Sequence, residues 1–234
     1  MANTLNTIFK ATPLTVADIQ NPAADYYIIK LNYATDRHFD WKPGTAGLFT
    51  LPHQKNTGSG FRFFSIAGVP DEHAITIGTR TGKTASAYKA VLTHLHKGDR
   101  VNLRGPIGSF GVKNDSAPVV MIASGVGVTP FRAMALDLTA DQTRPIKLIQ
   151  SAHGFHLFQS DFEGVAQKNA RFEYLPVESG KDAQTQMLAT IKELGDSAYY
   201  YLSGSSKIVK ANKQFLKQHG VPARQIITDV QFGY

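Results

Sequence analysis

The chain of 234 residues contains no cysteine. That absence excludes disulfides, iron–sulfur clusters, thiolate zinc sites and cysteine nucleophiles together. Any redox chemistry must then be carried by an organic group. Long apolar runs are lacking too: none approaches the roughly 20 residues a membrane-spanning helix needs. The first ten residues have no basic start followed by an apolar core, so no signal peptide is read there. A soluble, cytoplasmic protein is the expectation. Metal-ligand patterns are also missing. His94-x-His96 and His153-x-x-His156 stand without Asp, Glu or Cys at ligand spacing, so no metal site is expected. No nucleophile-elbow motif occurs.

Charged residues are sparse at 18% against 42% hydrophobic, a balance that buries a core and argues against disorder. The net charge of +7 is uneven. Residues 1–115 hold 13 Lys and Arg against 8 Asp and Glu, while residues 116–234 hold 12 against 10. Two readings stand: ordinary solubility charge, or steering of anionic cofactors or an acidic partner protein. The basic residues are scattered rather than striped, which disfavours nucleic acid.

Two rhythms divide the chain. In residues 1–112, Tyr26–Leu31, Ala46–Leu51, Phe61–Ala67, Ala74–Arg80 and Arg100–Arg104 have the aromatic and β-branched content of short strands, with Gly, Pro or Asp between them. This spacing predicts an antiparallel barrel or sandwich. Ser86–His96 is the exception, since Tyr88, Val91, Leu92 and Leu95 recur at helical spacing and Lys97-Gly98-Asp99 stops them. Lys113-Asn114-Asp115-Ser116 reads as a polar linker. In residues 117–234, strand-length apolar runs (Val119–Ala123, Ile146–Gln150, Phe172–Val177, Tyr199–Leu202) alternate with helical stretches (Pro130–Leu138, Asp182–Leu194, Lys207–His219). Such alternation predicts βαβ units around a parallel sheet.

Three stretches carry chemistry. Ser124-Gly125-Val126-Gly127-Val128-Thr129-Pro130 follows an apolar strand. Glycines at a strand end let a backbone approach phosphates, and Pro suits the first turn of the helix that follows. No third glycine completes the dinucleotide fingerprint, and a plain tight turn is the alternative. Arg62-Phe63-Phe64-Ser65 puts a guanidinium beside aromatic rings and a hydroxyl, which suits a flavin: charge for its phosphates and a hydrogen bond for its ring. The alternative is a surface arginine on an ordinary strand. Gly78-Thr79-Arg80 adds a second cation, and a helix N-terminus near Ala85-Ser86 would complete a diphosphate site. Gly78 to Thr84 is no P-loop, because that motif needs four residues before Gly-Lys-Thr and three stand here.

In this order, these motifs resemble the ferredoxin–NADP reductase superfamily along nearly the whole chain. Arg62-Phe63-Phe64-Ser65 is similar to its flavin motif Arg-x-Tyr-Ser, and Arg80 with Lys83 to Lys89 resembles its second diphosphate loop. Gly105-Pro106-Ile107-Gly108-Ser109-Phe110 looks like the segment closing its barrel. Gly125 to Pro130 resembles its nicotinamide-nucleotide motif, Ser203-Gly204 stands where Cys-Gly is usual, and Phe232-Gly233-Tyr234 is similar to its terminal aromatic tail.

The resemblance implies a Greek-key barrel binding FAD (1–112) and an α/β domain binding NAD(P)H (117–234). Hydride would pass from nicotinamide to flavin in a cleft between them, and electrons onward to ferredoxin, flavodoxin or a ferric chelate. Arg62 would hold the diphosphate, Phe64 would pack on the flavin, and Ser65 would bond near its reactive nitrogen. Ser203 would line the hydride path, and Tyr234 would cover the flavin. Two alternatives stay open: a flavin reductase using flavin as substrate, and an electron-transfer subunit of a larger complex. Phe64 for tyrosine removes a phenol hydroxyl, and Ser203 replaces the usual thiol. Gln150 to Gly154 lacks an arginine for a 2′-phosphate, which leans toward NADH; Lys207 and Lys210 keep NADPH open.

Overall fold

The computed structural model describes residues 11–34, 39–55, 57–108 and 110–229. They form two compact units, divided just before Phe110.

The first unit is a six-stranded antiparallel sheet in the order β4-β3-β6-β1-β2-β5. Its strands are β1 (Thr12–Ala23), β2 (Tyr26–Tyr33), β3 (Ala46–Thr50), β4 (Phe61–Ser65), β5 (Ile75–Arg80) and β6 (Arg100–Ile107). β6 inserts between β1 and β3, the Greek-key swap. Just past β4, the Ala67 N–H donates to Thr76 O at 2.7 Å. The two edge strands therefore meet and the sheet curls into a barrel. Alternate residues fill it, among them Leu14, Ile29, Leu31, Phe49, Ile77 and Leu103. One helix, α1 (Ala87–Leu92), adds Tyr88 and Leu92 to this core.

β1 is the longest strand, and no reading of the sequence foresaw it. Only Leu14 and Val16 are buried along it, and its second half is polar. A bulge between Val16 and Asp18 also breaks the alternation. The helix expected over Ser86–His96 stays regular only to Leu92. Beyond it, tighter turns bond His94 N–H to Val91 O and Leu95 N–H to Leu92 O.

The second unit is a five-stranded parallel sheet, β11-β10-β7-β8-β9. It comprises β7 (Val119–Ser124), β8 (Ile146–Ser151), β9 (Phe172–Val177), β10 (Tyr199–Ser203) and β11 (Ile226–Thr228). The helices are α2 (Thr129–Asp137), α3 (Gln159–Lys168), α4 (Gly180–Leu194) and α5 (Ser206–Gln218). β7 is buried from Val119 to Ala123 because helices cover both faces. The chain runs outward through β8 and β9, then returns to β10 on the other side of β7. The strand order therefore reverses between β7 and β10, where open α/β sheets bind ligands at their carboxyl ends.

The polar stretch after Phe110 is tied to this unit. Lys113 N–H donates to Tyr201 Oη at 2.8 Å. The nearly buried Arg144 bonds Asp141 at 2.6 Å, Ala117 O at 3.2 Å and Asn114 O. Among the described residues no helix is long and apolar enough to cross a membrane.

Candidate functional site

In the barrel unit the chemistry gathers where β4 meets α1. Alternation along β4 sends Arg62 and Phe64 to one side, and Phe61, Phe63 and Ser65 to the other. The Arg62 guanidinium lies 5.7 Å from the centre of the Tyr88 ring. It donates to Phe61 O at 3.0 Å and to Ser59 Oγ, and among the described residues it meets no carboxylate. Lys89 lies close by, its Nζ donating to Arg80 O at 2.8 Å. Burial, and then the Arg62 charge, push the Lys89 ammonium below its ordinary pKa. Two cations are thus held against each other. The Tyr88 hydroxyl is buried without a hydrogen-bond partner, and burial drives its pKa up.

The residues expected here divide. Phe64 is a core ring, 8% exposed, with Phe49 at 5.7 Å and Tyr88 at 6.3 Å between ring centres. Phe63 is half-buried and stands edge-on to exposed Phe61. Ser65 is half-buried, and among the described residues its hydroxyl has no partner. Arg80 is held by Asp25 at 2.7 Å and lies 5.1 Å from the Tyr26 ring centre. The charge of Arg62 acts on Lys89. Gly78 and Thr79 are buried in β5, Lys83 is exposed, and Ala85 and Ser86 are half-buried. Ser86 Oγ accepts the Lys89 N–H at 3.4 Å as the cap of α1.

In the α/β unit the site is the turn after β7. Gly125 has φ +53°, a backbone suited to glycine, and a Cβ there would meet nothing within 4 Å. Gly127 needs its missing side chain for another reason. A Cβ there would stand 2.5 Å from both Gly204 N and Ser203 O. The turn after β7 thus packs directly onto the end of β10, so the two motifs form one structure. Val126 is half-buried, whereas Gly127, Thr129 and Pro130 are buried. The Thr129 hydroxyl donates to Val126 O at 2.7 Å. The tight turn Gly125–Val128 runs straight into α2, with the Thr129 N–H donating to Val126 O and Pro130 lacking an N–H. The open face at Gly125 is where phosphate oxygens can approach the backbone.

Ser203 is buried, and its hydroxyl donates to Asp229 Oδ2 at 3.1 Å. Asp229 was not singled out in the sequence; its signal is an acid just past a short apolar run at a strand's carboxyl end. Gly204, at φ +153°, closes the turn. After β8, the buried Gln150 accepts the Tyr174 hydroxyl at 2.7 Å and donates to Leu157 O at 3.1 Å, which anchors the following loop. Phe232, Gly233 and Tyr234 lie outside the described residues. Among those described, no His, Asp and Glu cluster is arranged to hold a metal.

No family model matches the chain. It is 29% identical over 173 residues to a flavohemoprotein of Pseudomonas aeruginosa, covering 69% of this chain and 43% of that protein. It is 33% identical over 151 residues to the reductase component of phenol 2-monooxygenase from Pseudomonas sp. strain CF600, covering 62% of this chain and 42% of that one. A crystal structure of a ferredoxin NADP+ reductase from Neisseria gonorrhoeae with bound FAD and NADP superposes with a TM-score of 0.77 at 17% identity, covering 94% of this chain and 98% of that one. These matches define a class. The curated relatives are named as a flavohemoprotein and a reductase component, the structural neighbours include a ferredoxin NADP+ reductase with bound FAD and NADP, and this chain shares the two-domain fold of that reductase type. The chain spans less than half the length of the two curated relatives just described.

Proposed function

We propose that the chain is an FAD-dependent NAD(P)H oxidoreductase that passes electrons to a protein acceptor. One observation carries this reading: the Arg62 guanidinium, which among the described residues meets no carboxylate, lies over Tyr88, whose hydroxyl is buried without a hydrogen-bond partner, and its charge acts on half-buried Lys89. A diphosphate fits that set. It supplies the charge that separates the cations and oxygens for their donors. Bound FAD would supply a ring that accepts hydride and releases electrons singly.

The chain's own residues bind and position. Arg62 and Lys89 hold the diphosphate, and the free Ser65 hydroxyl bonds to the edge of the flavin ring. The open backbone at Gly125 meets the pyrophosphate of the dinucleotide. The Ser203 hydroxyl, oriented by Asp229, supports the nicotinamide end.

An acidic protein fits as acceptor. Residues 199–229 carry five Lys and Arg against one Asp. Lysines that look scattered in the sequence share a side of α5: Lys207, Lys210, Lys213 and Lys217 span roughly a third of its circumference. No acid lies on that helix, and among the described residues none of these lysines forms an ion pair. A cytoplasmic setting, where reduced coenzymes are at hand, suits this role.

Titration of flavin-free protein with FAD tests the reading. Tight binding that survives gel filtration supports a resident flavin. Loss of flavin on the column with retained flavin reduction would favour flavin as a substrate. Failure to bind FAD would overturn both.

A further inference from the structure

The loop after β8 is clamped by a single carboxylate. Glu178, the residue following β9, accepts the Gly154 N–H through Oε2 at 2.8 Å. The same group lies 3.5 Å from His153 Nδ1 and 4.0 Å from His156 Nδ1. Its side chain is 60% exposed, so lone pairs face outward. Residues 151–158 contain no Lys or Arg. Among the described residues Glu178 meets no permanent cation.

Its position gives this carboxylate a task. A dinucleotide at the carboxyl end of such a sheet puts its phosphates at the turn after the first strand, here β7. Its adenosine ribose then reaches the end of the second strand, here β8, where a carboxylate can accept a ribose hydroxyl. Glu178 comes from the third strand, but the Gly154 amide brings it to the loop that ends the second.

We propose that Glu178 selects the coenzyme: it accepts a hydrogen bond from the 2′-hydroxyl of the adenosine ribose and repels a 2′-phosphate. The chain then uses NADH in preference to NADPH. This inference rests on the dinucleotide reading above and adds the choice of coenzyme to it.

Calorimetric titration of the full chain with ADP-ribose and with its 2′-phosphorylated form tests the proposal without turnover. Wild type should bind ADP-ribose at least about tenfold more tightly, since two anions at contact distance repel even in a solvated site. Glu178→Gln keeps an oxygen for the Gly154 amide and should narrow the ratio to about threefold or less, chiefly by tighter binding of the 2′-phosphate form. Glu178→Ala should narrow it as well, and an unchanged melting temperature in either variant shows that the loop change has not unfolded the unit. Equal wild-type affinities, tighter binding of the 2′-phosphate through His153 and His156, or an unchanged ratio in both variants would overturn the role of Glu178 and leave dinucleotide binding intact. If neither ligand binds wild type, the dinucleotide reading itself falls.

Discussion

Replacing Gly127 by alanine tests the joint between the two nucleotide motifs of the α/β unit. The added Cβ would stand 2.5 Å from Gly204 N and Ser203 O and 2.6 Å from Gly204 Cα. Comfortable contact begins near about 3.5 Å, so the turn or the end of β10 must move by about 1 Å. All three opposing atoms are backbone, and no rotamer change relieves them. Overpacking of this kind costs about 1–3 kcal/mol, and a backbone clash belongs at the upper end. A loss of about 3 kcal/mol lowers the melting temperature of a unit this size by about 10 °C. Gly125→Ala is the matched control: its Cβ meets nothing, and only the positive φ of +53° is strained. That strain costs about 1–2 kcal/mol, a fall of about 5 °C. Thermal unfolding followed by circular dichroism should rank Gly127→Ala well below Gly125→Ala, with wild type highest. Nucleotide affinity should fall with Gly127→Ala, because Ser203 leaves its bond to Asp229. Equal melting of Gly127→Ala and wild type would refute the packing of these two turns.

Arg62→Ala should raise the FAD dissociation constant about 10- to 100-fold, since a hydrogen bond to a charged group contributes about 1.5–3 kcal/mol; unchanged flavin-fluorescence titrations would count against the diphosphate site. Asp141 is held below the ordinary carboxylate range by the Thr143 hydroxyl and amide, with Arg144 adding to the effect. Its folded pKa is depressed, so its contribution to stability is present above the unfolded value of about 3.9 and lost as pH falls through the folded value. Asp141→Asn should therefore flatten the acid limb of stability below about pH 4, and superimposable acid limbs for the two proteins would remove that role. Charge reversal of Lys207, Lys210 and Lys217 to Glu should slow reduction of an acidic protein acceptor at least about tenfold at low salt and leave a small dye unaffected. Equal slowing of both acceptors would show damage away from a docking face.

The strands legible in the sequence are those whose side chains state their own burial. Phe172–Val177 forms β9 with the expected bounds, and the apolar run at Val119 could only be a strand buried on both faces. β1 was hidden because just two of its twelve residues are buried. α3 was hidden because only Phe162 and Val165 face the core and Gly164 interrupts a polar stretch. β11 is three residues long, and it is held by pairing with β10 rather than by propensity.

The site divides in the same way. Arg62 and the Gly125 turn stand out as local patterns, and the structure makes each the centre of its cluster. Partners distant in sequence could not be seen. Asp25 captures Arg80 across 55 positions, and the Arg62 charge acts on Lys89, 27 positions away. Gly127 reads as a residue that makes room for a ligand, yet the room is filled by Ser203 and Gly204, which are far along the chain. The lysine side of α5 emerges only once the helix fixes which residues align.

The most direct measurement is the visible spectrum of the purified protein, reconstituted with FAD and then given NADH under anaerobic conditions. The account predicts flavin bands near the wavelengths of free flavin that bleach on adding coenzyme, then return when an electron acceptor follows. A protein that takes up no FAD, or whose flavin bands neither NADH nor NADPH bleaches, would contradict it.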